Sequence, residues 1–141
     1  MTHLAIIGGK YNNKKQKLIS YLSYIVDFIF ISGDIINYIL CNDDLLSEFK
    51  NNKAQIILPI DALLGYKPII LDESPIYTDN IKNKSSNLHV LDIGFQSINN
   101  LIDLIDKSST IFLYGTLGII ENKFYKNSTE LLFKILKNKS N

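Results

Sequence analysis

Five short runs of nearly unbroken apolar residues punctuate this chain, at positions 4–7, 28–31, 55–58, 88–93 and 111–114. Each has the length of a strand buried on both faces, where continuous hydrophobicity replaces the alternation of a half-exposed strand. Apolar residues at helical spacing fill the intervals. Leu18, Leu22, Ile25 and Val26 share one helical face, and Leu45, Leu46 and Phe49 share another after Asn42 and Asp43. Ile98, Leu101, Ile102 and Ile105 follow Ser97, and Leu131, Leu132, Ile135 and Leu136 form a last stripe opened by Asn127 and Ser128 as caps. Strand and helix in this alternation predict an α/β fold: a Rossmann-like three-layer sandwich, with a mostly parallel sheet of about five strands and helices on both faces.

The interval 62–87 breaks the rhythm. It carries Gly65, Pro68, Pro75, Asn80 and a polar run at 83–87, and reads as a loop with a small hairpin in which Pro68, Ile69, Ile70 and Leu71 supply a short strand. The polar tail at 137–141 reads as frayed and adds no strand. With 141 residues, 46% of them apolar, the chain supports one domain with a substantial core and leaves no room for a second catalytic domain. The greasy stretch 18–40 is interrupted by Asp27, Ser32, Gly33 and Asp34. It therefore predicts a helix, a strand and a turn, since a membrane span needs roughly 20 largely uncharged residues. Thr2 and His3 lead straight into a strand, so no signal peptide is expected.

All fifteen basic residues are lysines, scattered apart from one group near the start, and the net charge is +1. Phosphate backbones are bound by clustered positive charge, so a nucleic-acid surface is not expected. The abundance of isoleucine, asparagine and lysine fits an A/T-rich coding sequence. A lone Cys41 excludes an internal disulfide and fits a reduced compartment, and the lack of Cys/His spacing argues against a structural zinc or other metal site. His3 and His89 are isolated and read as surface or turn residues.

In an open parallel sheet the turns beyond the strand ends line a common crevice. The first turn, GGKYNNKKQK, places Gly8 and Gly9 between a strand and a helix. Backbone N–H groups there face an anion, helped by the helix N-terminus and by Lys10, Lys14, Lys15 and Lys17. The pattern is neither G-x-G-x-x-G nor a Walker loop. The second turn, Ser32-Gly33-Asp34, gives Asp34 as a helix N-cap, which would also repel a nearby phosphate. The last run ends in Gly115 and Gly118, where backbone can approach a ligand closely. Glu121 follows, a carboxylate on an apolar segment suited to accept both hydroxyls of a ribose.

Six segments, in order, resemble the C-terminal half of phosphoglycerate kinase. AIIGGK followed by Lys15 is similar to the family's AILGGAKVSDK, VDFIFISGDIINYIL to VDKLLIGGGMAYTFL, and ILPID to LLPVD. LDIGFQSINNLIDLI is similar to LDIGPKTIELFAEVI and IFLYGTLGIIE to VVWNGPMGVFE, while FYKNST stands where the family has FxxGT. The resemblance runs from Met1 to about Leu136 and implies a single nucleotide-binding domain over residues 1–141. It also implies site residues: Gly9 and Lys10 with Lys15 at the phosphates, Gly33 and Leu91 bordering adenine, and Gly115, Gly118 and Glu121 at the base and ribose. Some positions depart from the pattern. Tyr11 replaces the first motif lysine, Asp34 the third glycine of GGG, and Tyr114 and Thr116 the Asn and Pro of WNGP.

What the resemblance implies about function is a glycolytic phosphotransferase scaffold that binds ADP or ATP, with Mg2+ only as the nucleotide complex, in the cytoplasm. The family's N-terminal substrate domain is not represented in these residues, nor are its last two strands with the GGGDT turn, and the chain has no arginine. Phosphoryl transfer depends on positioning and charge stabilisation, so the chain alone is expected to be inactive, with no catalytic residue assigned. Activity would then need a second chain to supply the missing half. The alternative is a non-catalytic nucleotide-binding or interaction module, with a partner or homodimer formed across an uncovered sheet edge. A decaying gene product is a third reading. Neither a nucleic acid nor a membrane is expected as a partner.

Overall fold

The computed structural model describes residues 1–70 and 72–139. Strands β1 (His3–Ile7), β2 (Phe28–Ile31), β3 (Gln55–Ile57) and β7 (Thr110–Tyr114) form one parallel sheet in the order β3-β2-β1-β7. Ala5 of β1 stands between Ile29 and Phe112 in that register. Because successive side chains of a strand point to opposite faces, an unbroken apolar run serves two cores at once. Leu4 and Ile6 join Phe30 in one cluster, while Ala5 and Ile7 join Ile29 and Ile31 in the other.

The second cluster is covered by α1 (Asn13–Ser23), α2 (Ile35–Cys41) and α3 (Asp43–Lys50), through Ile19, Ile36 and Phe49. The first is covered by α4 (Phe95–Asp106) and α5 (Asn127–Lys139), through Leu101, Ile105 and Leu132, all fully buried. Burying each of these side chains stabilises the fold by about 2 kcal/mol. The layers are helix, sheet, helix, as the alternation predicts.

The fourth apolar run departs from the expected sheet. Strand β6 (His89–Ile93) pairs antiparallel with β4 (Ala62–Gly65), which in turn pairs antiparallel with β5 (Ile76–Thr78), so the parallel sheet has four strands and a small second sheet has the order β5-β4-β6. The hairpin expected in 62–87 is therefore present, but its strands are β4 and β5. Residues 68–70 form no strand, and Leu71 lies outside the described residues. Ala62, Leu64 and Val90 turn the small sheet toward the same core as α1 to α3.

Helix boundaries also shift. Helix α1 ends at Ser23, before Ile25 and Val26; Ile25 is left largely exposed, and Val26 N–H bonds the Leu22 carbonyl at 3.0 Å as the chain turns into β2. Asn42 caps α3 by accepting from Asp44 N–H at 3.0 Å. Asp34 occupies the N-cap position of α2 but makes no side-chain cap bond. Helix α4 opens two residues ahead of Ser97, after Gly94, which has no side chain to cap it.

A distant carboxylate does the capping instead. Asp61 accepts from the N–H groups of Gln96 and Ser97 at 3.0 and 2.8 Å and from Tyr77 Oη at 2.8 Å. Ser97 Oγ donates to Asp61 Oδ1 at 2.5 Å and accepts from Ile60 N–H at 2.9 Å. Burial works against charge on Asp61, yet these donors from Ser97, Tyr77 and Gln96 hold it below the usual carboxylate range. Likewise Ser128 donates to Asp92, a carboxyl that is 1% exposed, at the start of α5. Lys137 and Lys139 continue α5 where a frayed tail is expected; residues 140 and 141 lie outside the described residues. Among the described residues, no helix is long and apolar enough to cross a membrane.

Candidate functional site

Three turns meet beyond the C-terminal ends of β1, β2 and β7, and their backbones are tied to one another. Gly8 N–H donates to Tyr114 O at 2.7 Å, Gly9 N–H to Thr116 O at 2.8 Å, and Asp34 N–H to Gly9 O at 2.9 Å. Ser32 Oγ donates to Leu117 O at 2.7 Å, joining the second turn to the third. Gly33 and Gly115 both adopt left-handed backbone, at φ of +74° and +88°. Each lies where a β-carbon would strike the Gly8-Gly9 turn. The glycine pattern thus serves turn-to-turn packing first, and the N–H groups of Gly8 and Gly9, expected to face an anion, are bonded to carbonyls.

Above this junction opens a cleft of about 440 Å³. Gly9, Lys10, Gly33, Leu91, Gly118 and Glu121 all line it. Gly118 is buried, and a β-carbon there would stand 2.5 Å from both Asp92 Oδ1 and Tyr125 O. Glu121 is exposed at the rim. Lys15 lies beneath the turn, where its ammonium donates to Gly8 O and burial lowers its pKa. Gly115 supports the junction from behind, against Gly8 and Gly9.

The cleft has two chemically distinct parts. Val90, Leu91, Ile119 and Ile120 make an apolar slot, closed where Ile119 N–H bonds Leu91 O at 3.1 Å. Lys10, Asp34, Lys67 and Glu121 bring charge to its edges. Such a site, apolar with a few convergent polar groups, is suited to a planar ring carrying a polar, anionic tail. Lys10 and the N-terminus of α1, where Asn12 accepts from Lys15 N–H at 2.9 Å, supply positive potential for that tail. Among the described residues, no group of three or more His, Cys, Asp or Glu is placed to hold a metal ion. His3 and His89, expected at the surface or in turns, instead open strands β1 and β6 and are half-buried, because each pairs within its sheet, with Thr110 and Gly65.

Lys67, Val90, Ile119 and Ile120 also line the cleft, although the sequence reading does not single them out as site residues. Ile119 and Ile120 lie inside the very run that carries Gly118 and Glu121, so that run's apolar character is the signal for them. Lys67 gave none. It belongs to the stretch read as a loop, and only the pairing of Gly65 with His89 across β4 and β6 brings it to the cleft.

Comparison with known proteins identifies the family and the fold. The family model described as phosphoglycerate kinase matches residues 2–141. The phosphoglycerate kinase of Buchnera aphidicola subsp. Acyrthosiphon pisum (strain APS) is 32% identical over 149 residues, taking in 96% of this chain and 37% of that one. That of Wigglesworthia glossinidia brevipalpis is 34% identical over 142 residues, covering 90% and 35%. The solved structure of phosphoglycerate kinase from Coxiella burnetii superposes with a TM-score of 0.82 at 21% identity, over 94% of this chain and 38% of that chain, and shows the shared fold. The chain spans a little over a third of the length of the curated relatives it matches. By sequence over nearly its whole length, this chain belongs to the phosphoglycerate kinase family.

Proposed function

We propose that these residues form the nucleotide-binding domain of a phosphoglycerate kinase, which takes ADP or ATP, carried with Mg2+ as the nucleotide complex, into the cleft at the β1, β2 and β7 turns. The observation that carries this reading is the juxtaposition in one cleft of an apolar slot at Leu91 and Ile119, a cation at Lys10 and a carboxylate at Glu121. The base lies in the slot, the ribose hydroxyls donate to Glu121, and the phosphates run toward Lys10 and the N-terminus of α1. Lys15 and Gly115 support the turn from below.

The reaction served is phosphoryl transfer between 1,3-bisphosphoglycerate and ADP in cytoplasmic glycolysis. These residues alone do not suffice for it: they include no arginine, and among the described residues the cleft presents no second cluster of cations to bind phosphoglycerate and stabilise a transferring phosphoryl group. Those groups would come from outside these residues. Calorimetric titration of the folded chain with ADP and ATP, with and without Mg2+, tests the reading. Saturable binding that is lost in Glu121→Ala supports it, and no heat from folded wild type contradicts it.

A second reading, an interaction module on the same scaffold, has its own observation. Strand β7 stands at the end of the parallel sheet with Phe112 and Tyr114 each 37% exposed. An edge of that kind accepts a further strand from a partner or a second copy. Sedimentation equilibrium tests it: a dimer dispersed by Phe112→Lys supports pairing at β7, and a monomer at all concentrations removes the homodimer.

A further inference from the structure

An ion pair stands in the wall of the cleft. Lys67 Nζ lies 3.3 Å from Asp34 Oδ1, the two side chains being 40% and 29% exposed. A pair this open to solvent adds little stability, so its position needs another explanation. Asn37 fixes it against the apolar slot: Asn37 Nδ2 donates to Val90 O at 3.1 Å, Asn37 Oδ1 accepts from Val90 N–H at 2.8 Å, and the same Nδ2 lies 3.4 Å from Asp34 Oδ1. Lys67 arrives from the opposite side, two residues beyond the pairing of Gly65 with His89. The contacts from Lys67 and Asn37 both go to Asp34 Oδ1, and Oδ2 receives neither.

The cleft wall therefore offers a carboxylate acceptor beside an ammonium donor. Adenine presents the complement on one edge, an exocyclic amine that donates next to a ring nitrogen that accepts. We propose that Asp34 and Lys67 read this edge of the base, Asp34 accepting from the 6-amino group and Lys67 donating to the neighbouring ring nitrogen; the inference rests on the nucleotide reading of the cleft. Val90 and Leu91 hold the ring flat by apolar contact, which does not distinguish one purine from another. The ion pair supplies that distinction.

The test is calorimetric titration of the intact chain with ADP and with purine riboside 5′-diphosphate, which keeps the ring nitrogens, ribose and phosphates but lacks the 6-amino group. A hydrogen bond to a charged acceptor predicts that wild type binds ADP about tenfold more tightly than the analogue. Asp34→Ala abolishes the preference, so that both ligands bind alike, and Lys67→Met weakens both. Equal binding of the two ligands by wild type overturns the proposal without touching the nucleotide reading, and needs no variant. A preference that survives Asp34→Ala, or ligand binding unchanged in Lys67→Met, with circular dichroism showing both variants folded, overturns it too. Failure of folded wild type to bind either ligand overturns the nucleotide reading, and this inference with it.

Discussion

Gly33 packs directly against the backbone of Gly9: a β-carbon at position 33 would stand 2.5 Å from the Gly9 nitrogen and 2.6 Å from its oxygen. Backbone atoms cannot swing aside, and Gly33 also holds a φ of +74° that L side chains rarely adopt. Gly33→Ala is predicted to destabilise the fold by about 2 kcal/mol or more, measured by urea denaturation. Wild-type stability in this variant would show that the second turn does not rest on the first.

Asp61 gives a second prediction, because it caps α4 from the residue just before β4, the strand paired with β6. Asp61→Ala leaves the N–H groups of Gln96 and of buried Ser97 without their acceptor, at a predicted cost of about 2 kcal/mol. The native carboxyl sits below its ordinary range, so the unfolded chain binds the proton first. Its contribution is fully present above about pH 4 and is lost as pH falls through the native value. Urea midpoints measured from pH 5 downward should fall less steeply in the Asp61→Ala variant than in wild type.

Asp92 behaves the opposite way, and the difference lies in its partners. It too is buried at a helix start, but burial outweighs its bonds from Ser128 and Ile93, and its pKa is pushed up to about 7. Between about pH 4 and pH 7 the native state holds a proton that the unfolded chain has released, so stability declines as pH rises and levels off above 7. Over that window the predicted loss is on the order of 4 kcal/mol. Asp92→Asn should flatten the decline, as read from thermal midpoints between pH 4 and pH 8. A wild-type profile already flat there would contradict the assignment.

Where strands are buried on both faces, their sequence announces them: Leu4 to Ile7 and Phe28 to Ile31 feed two cores and have no polar alternation to confuse the reading. The small sheet was less legible. Strand β4 is four residues long, ends in Gly65 and finds its partner β6 across more than twenty residues of chain, a non-local pairing that no periodicity encodes. The start of α4 was misplaced for a related reason, since its capping carboxylate, Asp61, is remote in sequence. At the cleft, the glycines and Glu121 are legible as residues, but the packing of one turn on another by Gly33 and Gly115, and the approach of Lys67, depend on non-local contacts that no local pattern encodes.

The central claim is that a nucleotide occupies the cleft between the Gly9, Gly33 and Gly118 turns. Its most direct measurement is a titration of the isotope-labelled chain with ADP and Mg2+, followed by amide chemical shifts. The account predicts saturable shifts at Gly9, Gly33, Leu91, Gly118 and Glu121, with β3 and the outer face of α5 unmoved. Shifts confined to other surfaces, or none at millimolar ADP in a folded protein, would contradict it.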